Sequence, residues 1–512
     1  MSDLDSATML AGDFATLPDL IRAHARERGA KEALVAKDGA LDYAALDALM
    51  DRIAAALQRD GVRQGQAVAI VAGSGIEYGA VFLGALRAGC VAAPLAPSAT
   101  GAAIAAMIAD CGAPILFLDG DAAQTLKPFT LDTRVIRLDT DAFATWLAPE
   151  GAHPAPVTIT PEDGFNIIYS SGTTGTPKGI VQSHAMRWAH ISRNANAGFG
   201  EAVTMIATPL YSNTTLVSFL PTLGWGGTVV LIAKFDARGY LTLAARHRAT
   251  HTMLVPVQYQ RIMALPDFAS FDLSSFRFKS CTSAPFSAAL KADVLARWPG
   301  LLIEYYGMTE GGGTCLLVAN QFPDKLHTVG RPVEGHDIRL IDEAGNEVPQ
   351  GETGEVVGRS PAMMTGYHGR TEATAAAEWF DAEGNRYIRH GDIGRFDADG
   401  FLTLLDRKKD LIISGGFNIY PVDLENVLAQ HPAVADCSVI GLPSEAWGET
   451  PVGFYVAHTD ASDDAATILA WANAQLGKTQ RLSALHAIAE LPRSAIGKVL
   501  KRELRDMLTE AA

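Results

Sequence analysis

As far as about residue 400, this chain alternates short apolar strands with amphipathic helices. The run Ala67 to Ala72 precedes a helical pattern around Tyr78 to Ala88, Ile115 to Asp119 reads as a further strand, and Thr204 to Thr208 leads into a helical pattern near Thr215 to Leu223. Thr228 to Ile232 and Thr252 to Val255 continue the series, with Gly239 to His247 between them as a helix. Such alternation predicts an α/β fold of mostly parallel sheets covered by helices, because a parallel neighbour is reached only through a crossover, and it puts ligands at the carboxyl ends of strands. At 512 residues the chain exceeds a single core, and its 48% hydrophobic content is ample for several domains or subdomains. From about Gly351 the texture becomes glycine-punctuated and turn-rich: Asp399-Gly400 is a hairpin signal, Phe401 to Leu405 a strand, and Asp406 to Asp410 a charged junction before a compact α+β segment.

Composition narrows the partners. A formal net charge of −15 argues against nucleic acid or an anionic membrane, both of which attract basic surfaces, so an anionic substrate must meet local positive charge. Cys90, Cys111, Cys281, Cys315 and Cys437 are scattered without CxxC or Cys/His clustering and predict reduced thiols, neither a disulfide framework nor a zinc site. Asp3 and Asp5 stand where a secretory signal would be basic, and Ala511-Ala512 is no peroxisomal or lipidation address, so a cytoplasmic location is expected. The uncharged window Ala88 to Ala109 holds Pro94 and Pro97 and suits a strand, turn and helix better than a membrane span.

The densest chemistry follows the apolar strand Phe165 to Tyr169 and reads YSSGTTGTPKG. Gly172, Gly175 and Gly179 let the backbone turn tightly, Ser170, Ser171, Thr173, Thr174 and Thr176 add hydroxyl donors, and Lys178 adds charge, which together outline a polyphosphate cradle. It is not a Walker loop, since Gly179, and no Ser or Thr, follows the lysine. Four further motifs come in order: YYGMTE at Tyr305 to Glu310, HGDIGRFDADG with Asp392, DRKKDLIISGGFNIYP with Arg407, Lys409, Gly415 and Gly416, and PRSAIGKVLKREL with Lys498.

At these residues, and over nearly its whole length, the chain resembles the superfamily of adenylate-forming enzymes: acyl-CoA synthetases, nonribosomal adenylation domains and beetle luciferases. The resemblance implies a large N-terminal domain, residues 1–406, of helix-flanked sheets plus a distorted β-barrel-like subdomain, and a small mobile α+β domain, residues 407–512. It further implies a two-step ligase that forms an acyl-adenylate from ATP and a carboxylate and then passes the acyl group to a thiol. In that scheme the loop wraps the β- and γ-phosphates, Glu310 holds magnesium, and Thr309 donates to the α-phosphate. Tyr306 offers a ring face to adenine opposite Ser283-Ala284-Pro285, Asp392 accepts the ribose hydroxyls with Arg407 alongside, and Lys498 stabilises the charge that builds during adenylation. Lys409 matches the hinge of the small domain, and Gly415-Gly416 the wall of a pantetheine tunnel for coenzyme A. The PRSAIGK context also marks Lys498 as a candidate for a protein acetyltransferase, which would remove its charge.

The acid pocket is expected from Tyr211, Ser212, Asn213 and Thr214, the helix after them, Thr282 to Ala284, and Gly311-Gly312-Gly313, whose glycines would leave space or flexibility near the reacting carboxylate. Pro209 to Asn213 carries no acid to pair with an ammonium, which disfavours an α-amino acid. No arginine or lysine stands out in these segments to receive a second carboxylate, so a medium-chain fatty or aromatic acid is favoured. Tyr211-Ser212 stands where many acyl-CoA synthetases have an aromatic-His pair, Ser283 replaces a common glycine, and Thr371 a common proline. His184 and His190 read as structural. Free coenzyme A is the expected acceptor, and the alternative is a stand-alone ligase loading a carrier-protein phosphopantetheine.

Overall fold

A computed structural model describes residues 4–169, 178–193, 197–414, 417–445, 447–459, 461, 463–477, 480–494 and 497–509. Among these residues the strands form four sheets. In the largest, the adjacent strands Leu301–Gly307, Phe278–Cys281, His251–Leu254, Val203–Ile206 and Thr228–Leu231 run parallel, followed by Glu32–Ala36, with antiparallel strands at both edges. The second sheet runs in the order Gly366–Tyr367, Gly179–Ser183, Gly164–Tyr169, Val91–Pro94, Ala67–Val71, Ile115–Leu118, Arg134–Arg137. The predicted alternation is therefore realised, with element ends shifted by a few residues: the helix expected from Tyr78 begins at Ile76, and the one expected from Thr215 begins at Asn213, where Ser212 caps it.

Two helices, Ile76–Arg87 and Asn213–Gly224, are buried along almost their whole length. A helix apolar on every face must lie inside the protein, and both belong to the core that includes residues of the two large sheets. The uncharged window resolves into the strand Val91–Pro94 and the helix Gly101–Cys111. Among the described residues no helix is long and apolar enough to cross a membrane. The five cysteines are unpaired, and burial pushes the Cys90 thiol up to about 12 and that of Cys111 to about 11.

A third sheet, built from Asp337–Ile341, Thr353–Arg359, Arg386–Phe396, Glu378–Phe380 and Leu402–Arg407, is wholly antiparallel and forms the curled half-barrel subdomain. The strand expected from Phe401 starts one residue later and runs on to Arg407. A smaller α+β domain follows, with Ile412–Ser414, Phe417–Ile419, Val434–Ser444, Gly448–Ala457 and Ala484–Ala487 in its sheet and a separate apolar core around Leu424, Leu428, Ile468 and Ala472. The fold thus joins an N-terminal α/β domain, a half-barrel and a C-terminal α+β domain.

Candidate active site

Four adjacent parallel strands deliver the site segments from their carboxyl ends. Leu301–Gly307 leads into Met308-Thr309-Glu310, Phe278–Cys281 into Ser283, His251–Leu254 into Val255-Pro256-Val257, and Val203–Ile206 into the turn that reaches Asn213. Gly164–Tyr169 delivers the glycine-rich loop from the second sheet. The loop residues Ser170, Ser171, Gly172, Thr173, Thr174, Gly175 and Thr176 lie outside the described residues, as do Gly415 and Gly416. Lys178 is described, with its ammonium 5.2 Å from the centre of the Tyr367 ring.

Around Asp392 the polar groups form a knot. The Tyr306 hydroxyl donates to Asp392 Oδ2 at 2.8 Å, and Arg407 Nε lies 2.7 Å from Asp392 Oδ1. Asp392 and Arg407 face each other across antiparallel strands, so the ladder itself presents the pair. His390 adds to this: Nδ1 is 2.9 Å from the Tyr306 hydroxyl, and Nε2 is 2.5 Å from the Gly312 carbonyl. A carbonyl only accepts, so Nε2 must carry a proton, while Tyr306 has one proton for two neighbours. With Asp392 ionised, all three contacts are filled only when His390 carries both protons. Burial is the largest influence and holds its pKa below the ordinary histidine value, against the upward pull of the Gly312 carbonyl and the Asp392 charge, so the neutral ring is favoured and one of the three contacts is then left short of a proton.

The Thr309-Glu310 turn is held from three directions. Gln182 Nε2 donates to the Thr309 carbonyl at 2.7 Å, Met364 N–H to the Glu310 carbonyl at 2.8 Å, and the Tyr367 hydroxyl to Glu310 Oε1 at 2.8 Å. Tyr367 and His390 are site residues that sequence reasoning passed over. Tyr367 lies in a two-residue strand added to the edge of the second sheet and carries no signal of its own, whereas His390 opens the HGDIGRFDADG motif, in which Asp392 alone was expected to act.

The glycine run does something other than leave space. Gly311 has φ +80°, and a Cβ there would sit 1.7 Å from the Ala362 carbonyl oxygen. At Gly312 it would lie 2.7 Å from Ile388 Cβ. These glycines let the turn lie flush against the half-barrel, so close packing, and not an opening beside the carboxylate, is their physical reason. Ser283 has φ +82°, the left-handed region that explains a glycine preference at this position, and its hydroxyl is 2.5 Å from that of Thr214. Ala284 and Pro285 follow it on the same turn.

On the pocket side, Asn213 Oδ1 accepts from Arg187 at 2.9 Å, and the Tyr211 hydroxyl turns to Ser98. Leu216 and Phe219 are core residues. Arg187 is buried among neutral partners: Asn166, Gln182, Asn213 and His190. Burial pushes its pKa down to about 9. Desolvating a cation costs several kcal/mol, and charge-assisted hydrogen bonds return about 1.5–3 kcal/mol each, so the amide oxygens suffice to keep it charged. His184 packs edge-on against Phe165 at 5.0 Å, and burial takes it to about 4, so it is neutral near pH 7.

From the small domain, Lys498 comes to this cleft. Gly497 rests on the strand end opposite, where a Cβ would meet Val257 at 3.0 Å and Val255 at 3.4 Å. Arg493 donates to the Gly497 carbonyl at 2.8 Å and pairs with Asp436 at 2.7 Å, while Ser494 N–H donates to the Lys498 carbonyl at 2.8 Å. The Lys498 side chain is open to solvent by surface area, yet so much protein surrounds it that desolvation holds its pKa below the ordinary lysine value. Arg407 lowers it further, and the charges of Asp392 and Glu310 oppose the shift. Lys409 lies in the short turn Lys408–Asp410 between the half-barrel and the small domain. The structure thus gathers Thr309, Glu310, Tyr306, Asp392, Arg407 and Lys498 into one cleft, with Ser283 and Asn213 joined to it through Thr214 and Arg187.

The family model for AMP-binding enzymes matches residues 21–368, and the model for their C-terminal domain matches residues 423–498. The chain belongs to the AMP-binding enzyme family. It is 34% identical over 474 residues to a feruloyl-CoA synthase of Amycolatopsis sp, covering 91% of this chain and 94% of that protein. It is 30% identical over 505 residues to the fatty acid–[acyl-carrier-protein] ligase ScoC of Streptomyces coeruleorubidus, covering 96% of each. The ATP-bound structure of MatB from Rhodopseudomonas palustris superposes with a TM-score of 0.85 at 28% identity, covering 97% of this chain and all of that one. As a member of this family the protein is an adenylate-forming enzyme that activates a carboxylic acid through an acyl-AMP intermediate.

The Ser283 backbone generates a prediction. Ser283→Ala keeps the left-handed strain and loses the Thr214 contact, whereas Ser283→Gly loses the contact but relieves the strain, each effect being worth about 1 kcal/mol. In equilibrium unfolding, Ser283→Ala is expected about 1 kcal/mol below the wild type and Ser283→Gly close to it; the reverse order contradicts the strain argument.

Proposed function

We propose that this protein is an ATP-dependent, AMP-forming acyl-CoA ligase, acting on a medium-sized carboxylic acid with an apolar body, fatty or aromatic. The observation that carries the reading is the approach of Lys498 to the cleft that holds Glu310, Asp392 and Arg407. A fixed cation there stabilises the negative charge that builds as a carboxylate attacks the α-phosphate, without reorganisation at the moment of reaction. Asp392, held by Arg407 and Tyr306, presents carboxylate lone pairs to the ribose hydroxyls. Tyr306 is buried and committed to Asp392, so its part toward adenine is to present one face of its ring from a locked position. Lys178 and the loop before it take the leaving pyrophosphate side, and Thr309 donates to the α-phosphate.

Glu310 suits magnesium, a hard cation commonly held by one or two carboxylates together with substrate phosphates. One of its oxygens accepts from Tyr367 and the carboxylate is fixed in orientation. The ion would neutralise phosphate charge during transfer.

Coenzyme A as acceptor is supported by the relative that is a CoA synthase, and carrier-protein loading by the ScoC relative. Release of AMP with free coenzyme A across a panel of fatty and aryl acids separates the two. Formation of acyl-CoA is expected; AMP release only with a phosphopantetheinylated carrier assigns the protein to the second class.

Two variants test the assigned roles. Lys498→Ala is expected to lower adenylation by roughly 10²-fold, the size of losing one charge-stabilising donor, while thiolysis of a supplied acyl-adenylate survives; equal loss in both half-reactions removes Lys498 from the adenylation step. Lys409→Pro stiffens the turn between the half-barrel and the small domain. Slowed thiolation with intact adenylation is expected, and unchanged thiolation means that the hinge lies elsewhere.

A further inference from the structure

A buried polar network joins the two large sheets, and no catalytic step described above accounts for it. Asn166 and Gln182 stand opposite each other on the antiparallel strands Gly164–Tyr169 and Gly179–Ser183 of the second sheet, and Arg187 lies on the helix His184–Ser192 that continues the second of these strands. All three side chains are buried. Asn166 Nδ2 donates to Gln182 Oε1 at 2.8 Å, Arg187 Nε donates to Asn166 Oδ1 at 2.9 Å, and Arg187 Nη2 donates to Gln182 Oε1. From this centre two contacts reach segments delivered by the largest sheet. Gln182 Nε2 donates to the Thr309 carbonyl at 2.7 Å, and Arg187 Nη1, which also lies 3.4 Å from His190 Nδ1, donates to Asn213 Oδ1 at 2.9 Å. The helix itself rests on the turn after Glu310, where a Cβ on Gly311 would meet Met186 Cε at 2.8 Å.

The polarity of this network has one solution. A guanidinium only donates and a backbone carbonyl only accepts. Gln182 must therefore turn its oxygen to Arg187 and its amide nitrogen to Thr309, and Asn166 and Asn213 must both turn their oxygens to Arg187. Reversing any of these amides sets a donor against a donor. Among the described residues Arg187 meets neutral oxygens and no carboxylate. Burying an ion in this way is costly, and apolar side chains of similar volume often pack at least as stably. What the guanidinium supplies is orientation, since an apolar side chain would leave all three amides free to turn.

We propose that Arg187 is a positioning residue for adenylation. Through Gln182 it fixes the turn that carries Thr309 and Glu310, and through Asn213 it fixes the start of the helix Asn213–Gly224, where the acid is received. The strand that holds Gln182 is directly preceded by Lys178, so the phosphate side of the site is tied to the same centre. This rests on the reading of the protein as an acid-activating ligase, and it adds the device that keeps the α-phosphate donor and the acid at one separation. Such a device acts on kcat, because two reactants already bound gain only from their mutual orientation.

Two variants separate positioning from support of the fold. Gln182→Glu gives Arg187 a carboxylate, which the guanidinium keeps ionised, but removes the N–H that holds the Thr309 carbonyl. Arg187→Lys keeps the charge and loses the planar fork that spans three side chains. Pyrophosphate release by the full-length protein with ATP, magnesium and octanoate, decanoate, benzoate or cinnamate is measured beside thiolysis of the matching acyl-adenylate by coenzyme A and beside equilibrium unfolding. In Gln182→Glu the kcat of adenylation is expected to fall about tenfold, the effect of one hydrogen bond. Stability at or above the wild type, KM values for ATP and acid close to those of the wild type, and unchanged thiolysis are expected with it. Arg187→Lys is expected to fall between this variant and the wild type. Wild-type kcat in both variants, or a loss shared equally by the two half-reactions, overturns the positioning role. Absence of release by the wild type with every one of these acids overturns the fatty or aromatic ligase reading, and the role of Arg187 with it.

Discussion

The Asp392 carboxylate ties the molecule together. It accepts from Tyr306, at the end of a parallel strand of the largest sheet, and pairs with Arg407, the last strand residue of the half-barrel. An ionised carboxylate is acceptor-only, so a buried one must be met by donors, and here the donors come from different parts of the fold. His390 extends the tie to the Gly312 carbonyl. The orientation of the half-barrel against the sheet and the direction in which the chain leaves toward Lys409 thus depend on one acid. The same acid's charge is felt at Lys498.

Close contact between backbones is the second constraint. The turn after Glu310 and the half-barrel approach until a single methyl group would collide with a carbonyl, at Gly311 against Ala362 and at Gly358 against Gly312. Glycine is the residue that permits such an approach. Ser283 takes the opposite course, accepting a left-handed backbone and engaging Thr214 with its hydroxyl. A rigid mouth results, and on the pocket side Arg187 is held by the side-chain oxygens of Asn166, Gln182 and Asn213.

Much of this was legible from residues alone. Strand and helix order followed from hydrophobic periodicity, and the ordered motifs around Glu310, Asp392, Arg407 and Lys498 singled out groups that do meet in one cleft. Glu310 was readable because it follows the end of a parallel strand, where such sheets expose residues, whereas Asp392 and Arg407 meet across antiparallel strands of the half-barrel. The reading failed where a role depends on a neighbour distant in sequence. Tyr367 matters because it reaches Glu310, 57 residues away, and His390 because it bonds Tyr306, 84 residues away.

The sequence by itself determined the fold class and the chemistry available to the cleft, because periodicity and residue type are local properties. Tertiary structure alone decided that Arg187 is held inside the protein by side-chain oxygens, since burial and partners are properties of the assembled chain. It also decided that the glycine run is a packing device. A Cβ is harmless or forbidden only in relation to the atoms that face it, and those atoms belong to segments about 25 to 80 residues further along the chain.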